Sequence, residues 1–135
     1  MKFGFMNIIR KLFEIFWAPA LVLALQYCRQ WFYYGHSEID PIAHFMGGFT
    51  IAYGALIAFR WIYPKLRLPT LIQAYILVMA GMGTGLIWEW YEWVRFFGNP
   101  AFAHWDWWSD TLYDLLMDTL GAGFFTCLAT MRKKI

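Results

Sequence analysis

The sequence predicts an all-α integral membrane protein, a bundle of four transmembrane helices with both termini in the cytoplasm. Three observations carry this reading. Hydrophobic residues make up 61% of the 135 residues and charged residues only 15%, against about 45–50% and about 25% in soluble domains. A soluble fold this small buries too little of its chain to hide that much apolar surface. The apolar residues also fall into four runs close to the roughly 20 residues that a spanning helix needs, and the basic residues gather at one end of those runs. The same figures exclude a disordered chain, a coiled coil and a nucleic-acid-binding domain. A single transmembrane domain over 1–135 is expected.

The first helix is expected at about 15–34, with Pro19 early in it, where a kink is tolerated, and Arg29 near its end. Lys2, Arg10 and Lys11 ahead of it, with Ala18-Pro19-Ala20 within it, also resemble a signal peptide, but the apolar run continues past that point. A tight turn over 35–40 leads to the second helix, 41–59, which is free of charge; Asp40 followed by Pro41 reads as an N-cap and a first-turn proline. A link over 60–67 precedes the third helix, 68–93, which Pro69 opens and which is charge-free as far as residue 88. An aromatic segment on the outer side fills 94–109. The fourth helix, 110–131, starts from Ser109 as its cap, with Asp110 and Asp114 in the first turns.

Charge sets the orientation, because loops rich in lysine and arginine stay in the cytoplasm. Lys2, Arg10, Lys11, Arg60, Lys65, Arg67, Arg132, Lys133 and Lys134 fall on one side, leaving Arg29 and Arg95 on the other. Glu38, Asp40, Glu89, Glu92, Asp106, Asp110, Asp114 and Asp118 take the outer side with His36, His44 and His104, while Glu14 alone lies inside. Trp31, Trp88, Trp90, Trp93, Trp105, Trp107 and Trp108 belong to the outer half as well, as an interfacial belt requires. Gly47, Gly48 and Gly54, then Gly81, Gly83 and Gly85, then Gly121 and Gly123 mark faces where helices, or a second copy or partner subunit, approach closely. Cys28 and Cys127 lie at depths that differ by roughly 13 Å and do not pair.

Ionisable groups from three helices reach one depth. Asp40 and His44 share a face of the second helix, Glu89 and Glu92 end the third, and Asp110, Asp114 and Asp118 repeat every four residues along the fourth. Asp40 also reads as a cap, Asp110 and Asp114 suit the positive end of a helix dipole, and Glu92 suits a solvated rim. Asp118 resists such an account. It lies roughly 12 Å further along its helix than Asp110, where a carboxylate costs about 2.5–3.5 kcal/mol even on the generous insertion scale. With Arg29, Arg95 and His44 as the available cations, the excess negative charge must be relieved by shared protons, water or a bound cation. All seven residues are therefore candidate ligands for Mg²⁺, Mn²⁺, Ca²⁺ or Zn²⁺, and His44, Glu89, Asp114 and Asp118 are the candidates for catalysis.

These residues also carry a resemblance. The run over 40–54, DPIAHFMGGFTIAYG, resembles the D-x-x-x-H-F opening of the VanZ-like small bacterial membrane proteins. WEWYEW over 88–93 and DTLYDLLMDTLGA over 110–122 are similar to that group's acidic third-helix end and its fourth helix, and the WDWW segment is similar to the YjdF-type inner-membrane proteins. Pro41 stands where many members have lysine. The resemblance implies a multi-pass protein of the bacterial plasma membrane with a role in the cell envelope, in some members glycopeptide (teicoplanin) resistance, and Asp40, His44, Glu89, Asp110, Asp114 and Asp118 as its signature positions.

Function is then expected at an outward-facing site that binds a cation or the polar head of a lipid-linked substrate. A catalytic version would be a metal-dependent or carboxylate-pair hydrolase or transferase at the outer leaflet. The alternatives are a proton- or cation-translocating element and a structural subunit of a membrane complex. The charge asymmetry is directly testable: a reporter active only outside the cytoplasm, fused after Ile135, should give no signal, and strong activity there would invert the topology.

Overall fold

The computed structural model describes residues 5–32, 39–99 and 106–131. They form four α-helices: α1 Phe5–Phe32, α2 Asp40–Ile62, α3 Thr70–Phe96 and α4 Trp107–Met131. Of these, α2, α3 and α4 are long and apolar enough to cross a membrane. His36, His104, Glu38, Trp105, the side chains of Arg29 and Trp31, and residues 35–38 of the turn expected over 35–40 lie outside the described residues.

Each helix extends beyond the expected bounds at one end or both, although α3 starts at Thr70 rather than 68, and the extensions of α1 and α3 have local causes. α1 begins at Phe5 rather than near residue 15, because Arg10 and Lys11 donate to Glu14 at 3.0 and 2.5 Å, pairs one helical turn apart that support a helix beyond its apolar run. α3 continues to Phe96; Arg95 donates to Tyr91 one turn back, and its guanidinium lies 5.3–5.7 Å from the ring centroids of Tyr27, Tyr91 and Phe96, a cation–π arrangement. α3 then stops at Gly98, whose φ of 81° is the left-handed conformation that closes many helices. The aromatic segment over 94–109 is correspondingly shorter than expected.

Two caps also differ from expectation. α4 begins at Trp107, and Asp106, not Ser109, caps it: the backbone N–H of Ser109 donates to Asp106 Oδ1 at 3.3 Å. Asp40 does not cap α2, whose cap residue is Ile39 with no side-chain hydrogen bond. The Asp40 carboxylate is used between helices instead, accepting from Gln26 Nε2 of α1 at 2.8 Å.

Packing follows a four-residue rhythm. The buried residues of α3 are Gln73, Leu77, Gly81, Gly85 and Glu89; α4 buries Asp114, Asp118, Ala122 and Thr126, and α2 buries His44, Gly48, Ala52 and Leu56. The three helices pack on one another in every pairing, with α2 and α4 parallel and α3 antiparallel to both, and α1 lies on α2. The apolar core is small, comprising Ala52, Leu56, Leu77 and Ala122. Leu112, Leu116, Leu120 and Leu128 of α4 are exposed on its outer side. Polar and small residues inside, large apolar ones outside: this is the arrangement a lipid solvent favours, since lipid offers no hydrophobic drive to bury leucine.

Glycines set the helix separations. A Cβ on Gly48 would overlap the backbone carbonyl of Asp118, and one on Gly121 would overlap the carbonyl of Phe45. Beside this seam Phe49 meets Phe125 edge-on at 5.2 Å and Tyr53 meets the same ring at 5.9 Å. α1 reaches α2 at Gly54, where a Cβ would stand 2.6 Å from the carbonyl of Ile15. That carbonyl is the one left without a helical donor by Pro19, four residues on. Gly83 and Gly123, by contrast, face open space. Cys28 and Cys127 are free thiols, both exposed.

These contacts give opposite expectations for two glycines of one chain. Gly48→Ala should destabilise the protein by about 1–3 kcal/mol, the usual cost of overpacking, whereas Gly83→Ala should be neutral or slightly stabilising through helix propensity. Thermal unfolding of both variants in lipid nanodiscs measures the difference.

Candidate functional site

One imidazole and four carboxylates meet between α2, α3 and α4. His44 stands one turn into α2, so its ring projects from the face that Asp40 and Gly48 share. Its Nδ1 lies 3.1 Å from Asp118 Oδ2 of α4. Its Nε2 looks the other way, 3.6 Å from Asp114 Oδ2, 3.9 Å from Glu89 Oε1 of α3 and 3.9 Å from Asp40 Oδ1. Glu89 and Asp114 are 3% exposed, Asp118 4% and His44 5%, so water screens these charges very little.

Sequence spacing explains how each group arrives. Asp114 and Asp118 are four apart on α4 and contact the two nitrogens of the same ring, one each. Glu89 is one turn from Gly85, and Gly85 is where α3 gives way to Asp118: a Cβ there would collide with Asp118 Oδ2. Gly47 leaves Asp118 Oδ1 at ordinary contact, 3.4 Å from where its Cβ would be. The Asp118 carboxylate thus occupies a notch made by glycines of two helices. Asp118 is eleven residues from the start of α4, roughly 16 Å along it and near the midpoint of that helix.

The outer members are less deeply buried. Glu92 and Asp110 are half-buried one turn further out on the faces of Glu89 and Asp114. Arg95, expected among the neutralising cations, is engaged at the exposed end of α3 by Tyr91 and the neighbouring rings.

Three further residues belong to the site. Gln26 of α1 donates to Asp40. Thr111 Oγ1 donates to Glu89 Oε2 at 2.8 Å. Among the described residues the buried indole nitrogen of Trp88 has no hydrogen-bond partner, nor do the buried Oε1 atoms of Gln26 and Glu89. Gln26 was legible as an amide inside an apolar run, and Thr111 as the residue three before Asp114 on the same helical face. Trp88 had no such signal among seven outer tryptophans.

The ligand-capable atoms of His44, Glu89 and Asp114 all lie within 4.8 Å of one another. Nitrogen from one helix and oxygens from two others form a compact donor set, and Glu89 Oε1 faces it without a hydrogen bond. Asp118 stands apart from this trio, on the opposite side of the ring.

A family model described as "Predicted membrane protein (DUF2238)" matches residues 5–134. No curated protein and no solved structure matches the chain.

His44 is the group on which the four carboxylates converge, and its removal should cost far more than one hydrogen bond. His44→Ala should lower stability by about 3–5 kcal/mol, the range for breaking a buried ion pair from one side. Thr111→Val, which removes one hydrogen bond to a carboxylate, should cost about 1.5–3 kcal/mol. Chemical or thermal unfolding of both variants beside the parent chain orders the two effects.

Proposed function

The chain belongs to that family of membrane proteins, and on this premise we propose that it binds a divalent cation inside the bundle, at His44, Glu89 and Asp114. The carrying observation is the approach of those three donor sets to within 4.8 Å, with a buried Glu89 oxygen left without a hydrogen bond. One imidazole nitrogen with two carboxylates favours Zn²⁺ or Mn²⁺ over Ca²⁺ and Mg²⁺, which prefer all-oxygen shells. Asp118 takes a positioning role. When Nδ1–H donates to its carboxylate, the lone pair of Nε2 is directed at the cation side, the arrangement by which an outer carboxylate fixes the tautomer of a metal-bound histidine.

The setting we propose is the outer half of a bacterial plasma membrane, with α1 as a fourth span and both termini cytoplasmic. The basic residues of the 60–67 link and of the termini, opposite the carboxylates, support that orientation. The VanZ-like features of 40–54 and 110–122 support an envelope role, in which the site meets the polar head of a lipid-linked molecule. A bound cation would supply polarisation of a phosphate or ester oxygen. The chain's own residues hold the cation's ligands in register and exclude water from them.

A proton relay is the second reading, favoured by one specific feature: both nitrogens of His44 face carboxylates. Against it, the remainder of α2, α3 and α4 toward the basic end carries no carboxylate or imidazole. Thr50 and Thr126, buried there, spend their hydroxyls on carbonyls of their own helices.

Metal analysis and calorimetric titration of the full chain in nanodiscs test the cation reading. One Zn²⁺ or Mn²⁺ per chain is expected. Glu89→Gln and Asp114→Asn should abolish it, and Asp118→Asn should weaken it about 10–100-fold, as loss of an outer-shell partner does. Absence of binding by the parent chain would leave the relay as the better account.

A further inference from the structure

Thr50, Thr84, Thr119, Thr126 and Thr130 each donate to a carbonyl three or four residues back in their own helix, the local bond that a threonine hydroxyl makes inside an apolar helix. Thr111 departs from that habit. Its Oγ1 crosses from α4 to α3 and donates to Glu89 Oε2 at 2.8 Å. Thr111 stands three residues before Asp114, so the helix that supplies one candidate ligand also holds the next.

This bond divides the two oxygens of one carboxylate. Oε2 takes the Thr111 hydroxyl, whereas Oε1, buried and without a hydrogen bond, lies 3.9 Å from His44 Nε2. A carboxylate free to turn can offer a cation one oxygen or both. One held at Oε2 by a donor on the neighbouring helix offers Oε1. The difference bears on which ion is taken. Ca²⁺ gathers about six to eight oxygens, often through bidentate carboxylates, and Mn²⁺ suits an octahedral oxygen shell. Zn²⁺ is satisfied by a small tetrahedral set in which each side chain gives one atom.

We propose that Thr111 sets the metal preference of the site: by occupying Oε2 it makes Glu89 a one-oxygen ligand, and so favours Zn²⁺ over Mn²⁺ and Ca²⁺. This deepens the cation reading given above by naming the ion and the residue that selects it, and it rests on that reading. Thr111 is a positioning residue, because it touches a ligand and not the cation.

The test is competitive dialysis of the full chain in nanodiscs against Zn²⁺, Mn²⁺ and Ca²⁺, read by metal analysis, with X-ray absorption at the zinc edge. The parent chain should prefer Zn²⁺ and hold it in a tetrahedral shell. Thr111→Val keeps the side chain's shape and removes the hydroxyl. It should weaken Zn²⁺ binding about 10–100-fold, as loss of an outer-shell partner does, and lower the ratio of Zn²⁺ to Mn²⁺ affinity at least about tenfold. Thr111→Ser keeps the hydroxyl and should restore both. The ratio separates positioning from structure, because a looser fold lowers the affinity for every ion alike. An unchanged ratio in Thr111→Val, or a Thr111→Ser chain that behaves like the valine variant, would overturn the proposal and leave the cation reading standing. Should Thr111→Val fail to fold, the parent chain decides: a tetrahedral zinc shell supports the proposal, and an octahedral shell or a preference for Mn²⁺ overturns it. Absence of binding of any of the three ions by the parent chain would sink the cation reading and this proposal together.

Discussion

A carboxylate near the midpoint of a membrane helix must be matched by something, and Asp118 imposes that demand on this bundle. Leaving it to lipid costs about 2.5–3.5 kcal/mol, and three helices converge on it instead. Gly48 lets α2 lie against its backbone and Gly85 lets α3 lie against its carboxylate. His44 places Nδ1 within hydrogen-bonding distance. Any side chain beyond hydrogen at either glycine would push the helices apart and strand the charge. The close approach and the buried charge are therefore one feature: the polar contact needs the glycines, and the glycine contact is strengthened by what it encloses.

This inverts the usual division of labour in a small protein. Among the described residues the buried apolar side chains are Ile15, Ala18, Ala52, Leu56, Leu77 and Ala122, too little side-chain volume to define a structure by itself. Larger apolar residues face outward, where lipid solvates them. Specificity of packing comes instead from the glycine approaches, the aromatic contacts of Phe49, Tyr53 and Phe125, and the polar cluster. A bundle built this way depends for its packing on the residues of the polar cluster.

The two sides of His44 have different surroundings, and that difference organises the functional region. On the Nδ1 side Asp118 sits in a glycine notch and orients the ring. On the Nε2 side Asp114 and Glu89 leave a space with donors and an unmatched oxygen. The looser contact of α1 leaves a groove that leads from the side of the bundle to this place. Gln26, on the groove's wall, links the two through its nitrogen, which holds Asp40.

Composition and spacing alone determined the helical membrane class, the run of apolar segments and the clustering of carboxylates with His44, because each depends on a one-dimensional property: mean hydropathy, charge along the chain, and the period of 3.6 residues. The four-residue repeats of Asp110, Asp114 and Asp118 and of Gly81 and Gly85 were legible for the same reason. Tertiary structure decided what each repeat faces. Asp40 serves Gln26 rather than its own helix, Asp106 rather than Ser109 caps α4, and Asp118 separates from the Asp114–Glu89 side of the ring. Gly83 and Gly123 fall on open faces while Gly48 and Gly85 hold the centre. Which side of a helix meets which neighbour depends on rotation and offset between helices, and no local pattern encodes those; they are settled only when the whole set of close approaches is satisfied at once.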